Sequence, residues 1–340
     1  MTPADISVIL EKATVPEHSV VFMQAMSGGE PFRTGDYLFI GAEDWLLAVG
    51  YPLEGGYHPQ EFEAALAEAL HRTRARDCWA ICPGLPERLN AQRRERDHYY
   101  LLSADAACPP RLKRLAERAA ATLTVEEGRT FTPAHRRLWA EFMGRTALPP
   151  NVRELYARTE TVLSKAPGLS LLNAWDRDGR LAACLLVDAA PRRFMSYLIG
   201  AHSREHYTAY ASDLLFREMI RMARREGKEF LHLGLGVNDG IRRFKTKWGG
   251  APGPPYEMAQ WQETQKVREE VTSLMRMLAA MPREPVSKQQ FLASLPPQRK
   301  FRMLWEIRKN DRRSYIGGTA HFFCYSFERS FRELFEKVDT

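Results

Sequence analysis

Apolar and polar positions alternate along the chain in two periods, and the switch between them marks the elements. GDYLFIGAEDWLLAV reads as two apolar strands about a polar turn, and GYPLEGGYHP after it reads as a loop. QEFEAALAEALHRTRAR places apolar residues at helical spacing and ends on a basic turn, so the pattern predicts a helix. CWAIC and HYYLLSAD are apolar runs of strand length. These elements make a small α/β unit over residues 1–118, closed by the Pro109-Pro110 break and a basic amphipathic helix.

The pattern sharpens over residues 119–262. A strand is expected at Thr122–Glu127. TPAHRRLWAEFMGR opens on a Thr-Pro helix start, and NVRELYARTETVLSKAPG is a helix stopped by Pro-Gly. LSLLNAWDRDGRLAACLLVDAA is a hairpin about Asp176–Gly179, and RFMSYLIGA is a third strand. HYTAYASDLLFREMIRMARREG is a long helix ended by Gly227, and KEFLHLGLG is apolar enough for a central strand. Beyond it, residues 263–340 read as a basic helical extension, with amphipathic helices expected over 265–281 and 321–338.

Composition narrows the class. At 340 residues the chain has room for two domains and needs no staples to hold a core. Its five cysteines form no CxxC pair, which points to reduced thiols and a cytoplasmic location. The segment MTPADISVILEK lacks the basic-then-apolar order of a signal peptide, and no run approaches membrane-span length. The net charge of +7 favours anionic partners.

Candidate chemistry gathers in LHLGLGVNDGIRRFKTKWGG. Gly234, Gly236 and Gly240 give GxGxxxG, one residue off the dinucleotide fingerprint and late in its unit, so they read as a turn leaving a buried strand. Phe244 and Trp248 share a face whether the segment is extended or helical, and so anchor Lys245 at the mouth of the sheet. His202-Ser-Arg-Glu205-His206 matches the inverted zinc-protease pattern HxxEH. Nothing marks a third ligand, so no metal is expected, and these residues read as lining a site at a strand's carboxyl end.

The order strand, two helices, hairpin, strand, long helix, strand, glycine turn and Phe244-Lys245-x-x-Trp248-Gly249 resembles the acyltransferase domain shared by the GNAT N-acetyltransferases and the FemAB-like peptidyltransferases. The resemblance implies a mixed central sheet flanked by helices. It also implies two tandem copies, the first a degenerate one over 1–118 and the second over 119–262. It implies direct acyl transfer to an amine-bearing acceptor from acyl-CoA or from the phosphopantetheine of an acyl carrier protein. An aminoacyl-tRNA donor, or a non-catalytic module that holds RNA or protein, remains the alternative. Lys245 matches the family's Phe-Lys lysine, whose implied role is to stabilise charge on the donor end or the intermediate. By position, Glu205, His206 and Asp239 are candidate bases and Tyr256 a candidate acid. Gly200, Ser203, Arg204, Gly236 and Asn238 are candidate donor contacts. One departure stands out: acetyl-CoA users carry Gln/Arg-x-x-Gly-x-Gly/Ala before the long helix, and this chain has no glycine there. Arg204 offers a point contact for a phosphate instead.

Overall fold

Two helices, three antiparallel strands, a helix, a parallel strand and a last strand form a plan that the chain uses twice. The first pass comprises α1 (Pro3–Lys12), α2 (Val20–Ser27), β1 (Glu30–Thr34), β2 (Tyr37–Gly41), β3 (Trp45–Val49), α3 (Pro59–Thr73), β4 (Asp77–Cys82) and β5 (Arg93–Ser103). After α4 (Pro110–Ala120) and an added edge strand β6 (Thr124–Gly128), the plan repeats. The second pass is α5 (Pro133–Arg145), α6 (Pro150–Lys165), β7 (Leu169–Trp175), β8 (Leu181–Asp188), β9 (Phe194–His202), α7 (Ala211–Arg225), β10 (Phe230–Leu235), α8 (Asp239–Lys247) and β11 (Ala251–Gln262). The computed structural model describes residues 1–85, 91–148, 150–262, 304–309 and 312–317. Its chain divides into two units, Met1–Glu263 and Thr264–Thr340.

All eleven strands of the first unit form one mixed sheet in the order β1-β2-β3-β4-β11-β5-β10-β9-β8-β7-β6. The two passes exchange their last strands: β11 pairs with β4, β5 pairs with β10, and the exchanged strands pair antiparallel at the centre. This is the expected GNAT-like architecture, a tandem repeat built on one sheet.

The repeats differ where it matters for a ligand. β3 and β4 stay paired from Trp45↔Asp77 to Val49↔Ile81, and the Gly50 amide still donates to the Ile81 carbonyl at 2.7 Å. β9 and β10 pair only over Phe194–Ser196 and Phe230–His232, then part. A bulge in β9 makes the parting possible. Leu186 faces Ile199 but Val187 faces Tyr197, which leaves Leu198 unmatched and re-aims the strand. The second repeat is therefore open between its parallel strands, and the first is closed.

α4 and α7 cover one face of the second repeat over a core that includes Leu185, Phe216 and Trp248, and α2, α5 and α6 cover the other. α5 starts as its Thr-Pro signal predicts, with the Thr132 amide donating to His135 Nδ1 at 3.1 Å. Two strands escape the sequence pattern. β11 begins APGPP, a run poor for ladder pairing, and its register shifts between Pro252 and Pro255. β5 is longer than its apolar part because Arg94 and Arg96 find a partner in Glu257 on β11.

Of the expected helical extension, only residues 304–309 and 312–317 are described. Those residues form an antiparallel pair of strands, β12 (Leu304–Lys309) and β13 (Arg312–Gly317), in register from Leu304↔Gly317 to Lys309↔Arg312. The helices expected over 265–281 and 321–338 lie outside the described residues. Among the described residues, no helix is long and apolar enough to cross a membrane.

Candidate functional site

The parting of β9 and β10 opens a cavity of about 260 Å³, walled by both strands and by the first two turns of α7 and α8. Leu185, Tyr197, Phe216, Leu233 and Phe244 make it apolar, and His202, Ser212 and Lys245 supply its polar edges. Gly200 lines it because nothing larger fits: a Cβ there would come within 2.5 Å of Leu185 and 2.8 Å of the Tyr197 hydroxyl.

Lys245 reaches this wall because FKTKW is helical. Phe244 and Trp248, one turn apart, both pack on Phe216, with ring centroids at 5.3 and 5.1 Å. The Trp248 indole donates to Asp213 at 3.1 Å, and Lys247 pairs with the same carboxylate at 2.6 Å, which ties α8 to the start of α7. Lys245 is 4 % exposed. Its ammonium donates to the Leu235 carbonyl and stands 5.6 Å from the centre of the Tyr100 ring. Burial pulls its pKa down to about 7, against the opposing pull of Asp97. His232, behind it in the sheet, is pushed down to about 3 by burial and then by the Lys245 charge. His202 is lowered by burial and by Arg145 and Arg204, and burial pushes Tyr197 up to about 12.

Glu205 and His206 do not join Lys245. They line a second, polar cavity of about 140 Å³ with Arg137, Glu141, Arg180 and Ser203. Successive residues at the end of β9 face opposite sides: His202 turns to the apolar cavity, while Ser203 turns to the polar one. His202 and His206 thus open on different cavities. Among the described residues no three His, Cys, Asp or Glu side chains gather as a metal site.

The remaining expected contacts are placed as follows. Asp239 is exposed in the first turn of α8 and pairs with Arg242 at 3.4 Å. Asn238 caps α8, its side chain accepting from the Ile241 amide at 3.0 Å. Gly236 sits where a Cβ would meet Arg242 at 2.8 Å and Asp97 at 2.9 Å. Tyr256 is buried against Tyr99, ring centroids 5.3 Å apart, in a core cluster away from the cavity's lining.

The loop before α7 is filled from within the chain. Glu141 accepts from the Arg204 amide at 2.6 Å and from the Ser203 hydroxyl at 2.8 Å, and Ser203 accepts from the His206 amide at 2.9 Å. Arg145 pairs with Glu141 as well. Burial pushes Glu141 up, but these donors outweigh it and hold it below the usual carboxylate range. Glu141 and Asp97 were invisible in the sequence because each acts across a long chain separation; His202 carried a signal as part of the HxxEH pattern at the end of its strand.

Residues 110–246 match the family model of an acetyltransferase (GNAT) domain. No curated protein matches the chain in sequence. Among solved structures, FemX is 12% identical, with 80% of this chain and 98% of that one covered at a TM-score of 0.51. L-PGS from Bacillus licheniformis is 14% identical, covering 80% and 96% at 0.50. A conserved protein of unknown function from Bacteroides thetaiotaomicron is 13% identical, covering 76% and 97% at 0.52. At these identities the likeness is one of fold. Residues 110–246 thus carry the match to an acetyltransferase (GNAT) domain, within a fold that is similar to that of FemX.

Proposed function

We propose that the protein is an N-acyltransferase that moves an acyl group from a pantetheine thioester, on CoA or on an acyl carrier protein, to an amine. The observation that supports this most is a buried lysine on the wall of the apolar cavity between β9 and β10. An extended pantetheine arm suits such a slot, and the thioester carbonyl would arrive beside Lys245. An attacking amine adds to the carbonyl carbon, the oxygen takes up the negative charge, and the thiolate leaves as the tetrahedral intermediate collapses. Lys245 offers that oxygen a donor in a site with little water, where such a contact is worth most. The amine must also lose a proton. His202, neutral and on the same cavity, is better placed to take it than Glu205 or His206. The first repeat serves as scaffold in this reading, since its own parallel strands never part.

A second donor class has its own support. The 204–206 loop is already satisfied by Glu141 and Ser203, which leaves those groups unavailable to a pyrophosphate. The rim carries exposed Tyr207 and Tyr210, with Arg118 standing 5.7 Å from the Tyr210 ring. Aromatic and guanidinium groups together suit the single-stranded end of an aminoacyl-tRNA. The test is release of thiol from acetyl-CoA and from acetyl-pantetheine against a panel of amines, with an aminoacyl-tRNA assayed in parallel. Turnover that falls at least ~10-fold in Lys245→Ala supports the reading. No turnover with any donor leaves a binding module instead.

A further inference from the structure

Between β10 and α8 the chain makes an unusual turn. The Asn238 amide donates back to the Gly236 carbonyl at 2.6 Å, which closes a three-residue turn about Val237. Val237 has φ of +53°, a conformation that a β-branched side chain rarely adopts, and this form of γ-turn is the strained one. Something outside the turn must hold it. Asp97 does so: its Oδ2 accepts from the Val237 amide at 2.9 Å, and its other oxygen lies so close to Gly236 that a Cβ would meet it at 2.9 Å. The carbonyl just ahead of this turn, Leu235, is the one that Lys245 donates to.

We propose that Asp97, carried on the strand that the first repeat lends to the second, is the positioning residue of the Lys245 ammonium. It pins the strained turn that presents the Leu235 carbonyl, and it brings a negative charge to the segment from which that carbonyl projects. This rests on the reading that Lys245 meets the acyl carbonyl. The assignment gives the strand exchange a purpose: a site assembled from β9, β10 and α8 takes its fixed counter-charge from β5, so neither repeat completes it alone. The other polar groups around Lys245 do not supply that charge. Tyr197 and His202 on β9 and His232 on β10 are neutral, Arg242 on α8 is a like charge, and Asp213 on α7 is engaged by Lys247 and Trp248. A buried ammonium with a carboxylate's charge acting on it keeps part of its own charge, and charge at this point is what a developing oxyanion requires.

The test follows the Lys245 side chain by NMR through a pH titration of the whole chain, with its signal assigned by its loss in Lys245→Met. Asp97→Asn keeps an acceptor for the Val237 amide and removes the charge, so the Lys245 midpoint is expected to fall by at least about half a pH unit. Asp97→Ala removes both, so the midpoint falls and the Val237 amide exchanges at least ~10-fold faster. A wild-type midpoint in folded Asp97→Asn overturns the assignment, whatever happens to exchange, because a merely structural aspartate would loosen the turn without moving the lysine. Neither readout needs a donor. A chain that transfers no acyl group would sink the functional reading and leave this result standing.

Discussion

Replacing Lys245 with methionine is expected to stabilise the fold while abolishing transfer. The side chain is buried and its pKa falls from 10.5 to about 7. That difference corresponds to about 5 kcal/mol of folding free energy spent on holding the ammonium out of water. Below pH 7 the folded and unfolded states are both protonated, and the folded state bears the whole cost. Between pH 7 and 10.5 the folded state has released its proton while the unfolded state keeps it, so wild-type stability rises by up to about 1.4 kcal/mol per pH unit. Methionine fills similar space without charge but leaves the Leu235 carbonyl without its donor, a loss of about 1–3 kcal/mol. The net gain at pH 7 is therefore about 2–4 kcal/mol, visible as a shift of the urea midpoint at unchanged slope. The gain should stay level below pH 7 and shrink steadily towards pH 10. A variant less stable than wild type at pH 7, or a gap that ignores pH over that range, would refute the claim of a costly buried ammonium.

Two further substitutions probe the walls. Gly200→Ala puts a methyl where Leu185 and Tyr197 already stand, so it should cost about 1–3 kcal/mol in thermal stability and cut donor binding at least ~10-fold; unimpaired binding would place the acyl arm elsewhere. Glu141→Ala frees the loop amides and unmasks Arg145, and CoA should then bind at least ~10-fold more tightly by calorimetry; an unchanged affinity would show that this loop does not meet the donor.

The second repeat was legible because its signals are local. Strand and helix periods, the Gly227 stop and the Phe244–Trp248 spacing each depend on neighbours in sequence, and they anchor Lys245 at the end of the sheet. What was missed depends on distant partners. The charged half of β5 becomes a strand only because Glu257 waits on β11, and β11 itself hides behind its prolines. The bulge at Leu198 is a mismatch between two strands, so no single stretch reveals it. Asp97 and Val237 meet across 140 positions, and Glu141 reaches Arg204 across 63. Tyr256, a candidate acid by position, is held in the core by Tyr99, a neighbour only through the strand exchange.

The claim that the opening between β9 and β10 receives the acyl arm is tested most directly by a structure with a ketone analogue of acetyl-pantetheine, in which a methylene replaces the sulfur. The arm should lie between the two strands with its carbonyl oxygen within roughly 3.5 Å of Lys245 Nζ. An analogue bound at another surface, with the cavity still empty and Lys245 still turned to Leu235, would contradict it.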